Sequence, residues 1–115
     1  MGSIHIPETL AAGYLPVFRR CQSELAQLCR NFHVRRLELF GSAVGGGFTP
    51  DRSDLDFLVE FDSLPEGGYA DTFFGFKQAL EGLFGLPVDL VVPSAIRNPY
   101  FRQSIEKCKA LLYAA

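Results

Sequence analysis

Two aspartates one residue apart, Asp54 and Asp56, stand at the mouth of an apolar run that continues Phe57-Leu58-Val59-Glu60-Phe61. Side chains alternate between the faces of an extended strand. Asp54, Asp56, Leu58 and Glu60 therefore point one way, and Leu55, Phe57, Val59 and Phe61 the other. The two carboxylates share a face with their α-carbons about 7 Å apart. So placed, they repel each other unless a cation lies between them, and their hard oxygens suit Mg²⁺. Taken singly, an Asp-x-Asp is more often a turn residue followed by a solvated strand position. Three neighbouring features shift the weight. Gly41 permits close backbone approach, Ser42 adds a hydroxyl beside exposed backbone N–H groups of the kind that hold phosphate oxygens, and Asp89 stands inside another apolar run, where a charge is costly without a partner.

The elements that must position these groups follow from periodicity. Residues 34–40 read as a strand ending at Gly41-Ser42, the Asp56 run as a second, and 87–92, with Asp89 alternating against Val88, Leu90 and Val92, as a third. Between the first two lie Gly45-Gly46-Gly47, which serve either to hug a triphosphate or as a plain flexible connection. Ahead of the strands, Pro7 opens a short helix, and Phe18, Cys21, Leu25, Leu28 and Phe32 form one apolar stripe of a helix of about four turns. Arg19 and Arg20 fall on its wet side, a solvated face rather than a phosphate clamp. Tyr69, Phe73, Phe76, Leu80 and Leu83 stripe a further helix, widened by Phe74 and Phe84. That width serves the core, and Phe74 is the residue whose exposure would turn part of it to a partner. Asn98 as N-cap and Pro99 at the first position open the last helix, striped by Phe101, Ile105, Cys108 and Leu112.

The expected architecture is α+β: a small mixed β-sheet with the aspartate strand central and helices packed on one side. A single domain spans 1–115, with N-terminal helices in 7–32, the motif region in 34–93 and a C-terminal helix over 98–112. Nearly half the residues are hydrophobic and 11 are Phe, a composition for a compact globule rather than a disordered chain. A net charge of −2 argues against a dedicated nucleic-acid surface, which needs clustered Lys and Arg. The cysteines, Cys21, Cys29 and Cys108, make neither a CxxC nor a zinc spacing and read as reduced core thiols. No apolar run reaches membrane-span length and no signal peptide opens the chain, so the expected location is cytoplasmic.

Gly41-Ser42, eleven intervening residues, Asp54-x-Asp56, and then Asp89 within Pro87-Val88-Asp89-Leu90-Val91 resemble the minimal nucleotidyltransferases of the DNA polymerase beta superfamily, in particular the MntA-type antitoxins. The likeness runs from about Arg36 to the C-terminus, including Asn98-Pro99-Tyr100. It implies a nucleotidyltransferase fold, with Asp54, Asp56 and Asp89 as metal ligands and catalytic groups for two Mg²⁺ ions. Gly41 and Ser42 would bind the nucleotide phosphates. It also implies ATP as donor and transfer of AMP to a hydroxyl, a tyrosine, of a HEPN-type toxin, with neither direct nucleic-acid binding nor a membrane involved. Two departures stand out. Relatives of this type have ten residues between Gly-Ser and the first aspartate, and an arginine soon after the serine. This chain has eleven and reads Ala43-Val44-Gly45, leaving Arg52 or Arg36 as substitutes for the charged donor. The competing expectation is a binding antitoxin that covers a HEPN ribonuclease and transfers nothing.

Overall fold

The computed structural model describes residues 3–6, 15–41, 55–62 and 67–115. The expected helix near Pro7, the glycine-rich connection, Ser42, Arg52 and Asp54 lie outside these residues. Within them the order is β1 (Ser3–Ile4), α1 (Leu15–Arg20), α2 (Gln22–Asn31), β2 (Val34–Phe40), β3 (Leu55–Phe61), α3 (Tyr69–Phe84), β4 (Val88–Val91), one turn of 3-10 helix (Pro93–Ala95), α4 (Pro99–Cys108) and β5 (Ala110–Ala114). The strands form one mixed sheet in the order β1-β5-β2-β3-β4. Only the β3–β4 pair is parallel, joined through α3; the other neighbours run antiparallel. The aspartate strand β3 was expected to be central; it is interior but one place off, and β2 takes the middle position because β5 adds to its other edge.

The long N-terminal stripe folds as predicted with one irregularity. Helical bonding passes through Cys21, whose N–H donates to the Val17 carbonyl and whose own carbonyl accepts from Leu25. Phe18, Cys21, Leu25 and Cys29 are buried along it. His33 adopts φ 59°, a left-handed conformation more common in His than in most side chains, and turns the chain from α2 into β2. Its carbonyl accepts from the Asp62 N–H at 2.8 Å, tying this turn to the end of β3.

Strand alternation holds along β3. Leu55, Phe57 and Val59 are fully buried in the main core with Phe18, Leu25, Phe76 and Leu80, under α1, α2 and α3. Leu58 faces the other way, into a smaller cluster with Phe40, Ile96 and Ile105, so α4 lies on the opposite side of the sheet from α1, α2 and α3, where a single helical side was expected. In α3 the buried stripe is Phe76, Leu80 and Phe84, four residues apart. Gly75 brings α2 close, since a β-carbon there would lie 2.9 Å from Phe32 Cε1. The aromatic excess of α3 collects at its N-terminal end. Tyr69 packs edge-on to Phe61 and stacks on Phe73, and Phe74 remains 59% exposed.

The expected C-terminal helix over 98–112 is corrected. Asn98 caps it as predicted, its Oδ1 accepting from the N–H groups of Tyr100 and Phe101. The helix ends at Cys108, and Lys109 turns to φ −75°, ψ 146°. Residues 110–114 then pair with β2 as β5, in a register that places Leu37 opposite Tyr113 and Glu38 opposite Leu111. A short apolar run such as Leu111-Leu112-Tyr113 fits either period. The N–H and C=O groups along the β2 edge need partners, and β5 supplies them while burying Leu112 and Tyr113 in the core.

Candidate active site

Asp56 occupies the second position of β3, on the face turned away from the main core. Antiparallel pairing sets it opposite Phe40 of β2, and parallel pairing sets it opposite Asp89 of β4. Residues paired across adjacent strands share a face at about 4.8 Å between strands. Asp56 and Asp89 therefore stand side by side, although 32 residues separate them in the chain.

Gly41 follows Phe40 with φ 79°, a conformation that disfavours a β-carbon. A β-carbon there would collide with Asp56 Oδ2 and lie 3.1 Å from its Cγ. The backbone bend after β2 is thus drawn over the Asp56 carboxylate. The close approach expected of this glycine is made here by a carboxylate of the same chain, and only a residue without a side chain permits it.

These groups open into a cavity of about 400 Å³ lined by Phe40, Gly41, Asp56, Asp89, Phe101, Ser104 and Ile105. One end carries the two carboxylates. The opposite wall is α4, whose Phe101 ring packs edge-on to Phe40 at 6.1 Å between centroids. A larger cavity, about 500 Å³, lies at the other ends of β3 and β4, lined by Arg35, Phe61, Tyr69 and Ser94 among others. It holds none of the residues singled out for chemistry. Size alone does not mark the site; converging carboxylates do.

Of the five expected site residues, the structure brings Gly41, Asp56 and Asp89 together. Ser42, next to Gly41, and Asp54, two residues before Asp56, lie outside the described residues. Among those described, no group of three or more metal-ligating side chains gathers. Two adjacent carboxylates under a glycine bend are nonetheless a donor set of hard oxygens that fits a divalent cation such as Mg²⁺. Arg36 shares the face of Asp56 but sits four residues back along β2, about 13 Å away, with its Nε 3.2 Å from Glu38 Oε1. Phe101, Ser104 and Ile105 were not legible as site residues. The Asn98-Pro99 start announced their helix but not the sheet face it would cross.

A model of the nucleotidyltransferase domain matches residues 23–112, from the second residue of α2 into β5. The chain belongs to the nucleotidyltransferase family. A Methanocaldococcus jannaschii protein named as a protein adenylyltransferase is 40% identical over 80 residues, covering 70% of this chain and 78% of that one. The protein adenylyltransferase MntA of Thermococcus cleftensis is 39% identical over 72 residues, covering 63% and 69%. Among solved structures, one described as a minimal nucleotidyltransferase is 30% identical with a TM-score of 0.65, covering 83% of this chain and 92% of that one. A chain from the complex of a tri-AMPylated Shewanella oneidensis HEPN toxin with MNT antitoxin shares the fold at 20% identity, TM-score 0.56, covering 84% and 72%. The mixed sheet and helices of this nucleotidyltransferase are those of the minimal members of the family. No described helix is long and apolar enough to cross a membrane.

Proposed function

We propose that this nucleotidyltransferase moves AMP from ATP to a hydroxyl, a tyrosine side chain, of a cognate HEPN-type toxin and so acts as an antitoxin, in the cytoplasm where ATP is at hand. The observation that carries this reading is the side-by-side placement of Asp56 and Asp89 beneath Gly41. The relatives named as protein adenylyltransferases and the solved HEPN toxin–MNT antitoxin complex support the choice of donor and acceptor.

In this reading Asp54, Asp56 and Asp89 hold Mg²⁺, two ions in all, which when bound would neutralise phosphate charge and stabilise the entering and leaving oxygens of an in-line displacement. Backbone N–H groups at Gly41 and Ser42, with the Ser42 hydroxyl, hold the terminal phosphates. Asp89, on the edge strand, faces the acceptor and takes the proton from its hydroxyl as that oxygen bonds to the α-phosphorus and pyrophosphate departs. Phe40, Phe101 and Ile105 form an apolar wall beside the carboxylate end of the cavity.

One observation favours a second reading, a binding antitoxin that covers its toxin without modifying it. Ala43-Val44-Gly45 follows Ser42 where the resemblance implies an arginine, and Arg36 is engaged with Glu38 instead. Incubating the chain with ATP, Mg²⁺ and the HEPN-type protein encoded beside it, followed by intact-mass measurement of that protein, separates the two. Gain of AMP units on a tyrosine is expected. A tight complex whose toxin keeps its mass would leave only occlusion.

A further inference from the structure

The only buried charged side chain among the described residues is Glu38, 5% exposed, and the chemistry above makes no use of it. It lies on β2 two residues before Phe40, on the same face of the sheet as Asp56. Its Oε2 is 3.4 Å from Lys109 Nζ and its Oε1 3.2 Å from Arg36 Nε. Lys109 is the C-cap of α4, and its ammonium also reaches Glu106 at 3.2 Å. The carboxylate of β2 therefore meets the end of the helix that walls the candidate active site.

Beyond the pairing with β2 of β5, which follows Lys109 directly, little else among the described residues holds that helix down. Of the α4 side chains described, only Ile105 is buried, and Phe101 is 42% exposed. Towards its N-terminal end, Arg102 Nη2 donates to the Ile96 carbonyl at 2.9 Å, pinning α4 to the loop after β4. An element with so few buried apolar contacts belongs to the least stable parts of a fold, so polar anchors have unusual weight in setting where it lies. Charge pairs at a surface contribute little, but a pair with one partner buried and hydrogen-bonded is costly to break.

We propose that Glu38 is a positioning residue for the active site: through Lys109 it clamps the C-terminal end of α4 onto β2, and thereby sets the distance between the Phe101–Ser104–Ile105 wall and the Asp56–Asp89 pair. The clamp acts on the fit of the nucleotide rather than on its chemistry. This rests on the proposed function only for the identity of the ligand.

The test pairs Glu38→Gln with Lys109→Met and the double variant, read in two ways. Steady-state AMP transfer with ATP and Mg²⁺ should show KM for ATP raised about fivefold or more with kcat little changed, and the double variant no worse than either single one. Hydrogen exchange without nucleotide should show faster exchange of α4 amides in each variant, with β2 and β3 unaffected. Unchanged α4 exchange together with unchanged KM would overturn the clamp, as would additive losses in the double variant. Should Glu38→Gln fail to fold, Lys109→Met decides alone, because Lys109 lies outside the strands and Glu38 keeps Arg36 as its partner. If the parent chain transfers nothing, the proposed function fails, and α4 exchange still judges the clamp.

Discussion

Replacing Gly41 by alanine separates backbone strain from damage to the site, because a second glycine in the same conformation serves as the control. Gly41 has φ 79° and Gly85, at the end of α3, has φ 68°. A β-carbon in this region costs about 1–2 kcal/mol, so both variants should lose that much. At Gly85 nothing lies within 4 Å of the new atom, and the loss ends there. At Gly41 the new methyl collides with the Asp56 carboxylate, which must rotate away at a further cost of about 1 kcal/mol. A total of about 2–3 kcal/mol leaves a domain of ordinary stability folded, with a melting temperature roughly 10 °C lower. The effect on chemistry is larger, since misplacing a reacting group by about 1 Å costs on the order of 100-fold in rate. Urea melts and AMP transfer with ATP and Mg²⁺ measure the two effects. Gly85→Ala should be less stable at undiminished kcat/KM, and Gly41→Ala should lose about 100-fold in kcat/KM. A Gly41→Ala enzyme that works like its Gly85→Ala counterpart would refute the inference that this bend places Asp56.

Other expectations can be measured alongside. Asp56→Asn and Asp89→Asn should each abolish transfer in a chain that still melts cooperatively, since each removes a hard oxygen donor from the pair; unaltered transfer in both would remove this pair from the chemistry. Leu80→Ala should cost about 2–5 kcal/mol by opening a cavity in the main core, whereas Phe74→Ser, at an exposed position, should stay within about 0.5 kcal/mol in the same melt. Burial pushes the Cys29 thiol up from 9.0 to about 12, with Arg30 opposing weakly, and burial likewise raises Tyr113. The unfolded chain gives up the thiol proton first, so this stability is full below pH 9.0 and falls as pH rises toward about 12, by at most about 4 kcal/mol for Cys29. Cys29→Ala should flatten that alkaline decline, and an equally steep decline in the variant would assign it elsewhere. Asn98→Ala should remove both cap bonds at the start of α4 and cost about 1 kcal/mol, seen as faster exchange of the first-turn amides.

Local pattern was enough to place the three motif strands, the α3 stripe, the Asn98 cap and the outward face of Asp56, because each depends on side-chain period or on the chemistry of a few neighbouring residues. Phe18, Leu25, Leu55, Phe57, Val59, Phe76 and Leu80 were legible as core for the same reason. What the chain could not disclose from its order alone was pairing. Asp89 joins Asp56 because α3 returns the chain parallel to β3 in one particular register, and a shift of one residue would have turned Asp89 into the core. Leu112 continues the Phe101, Ile105, Cys108 stripe by spacing, yet residues 110–114 form a strand because the middle strand has an edge to fill. Phe101 and Ser104 became site residues only when α4 crossed the same face as the carboxylates. Side-chain period is a property of neighbours along the chain, whereas register and edge pairing are settled by the backbone hydrogen bonds and buried area of segments far apart in it.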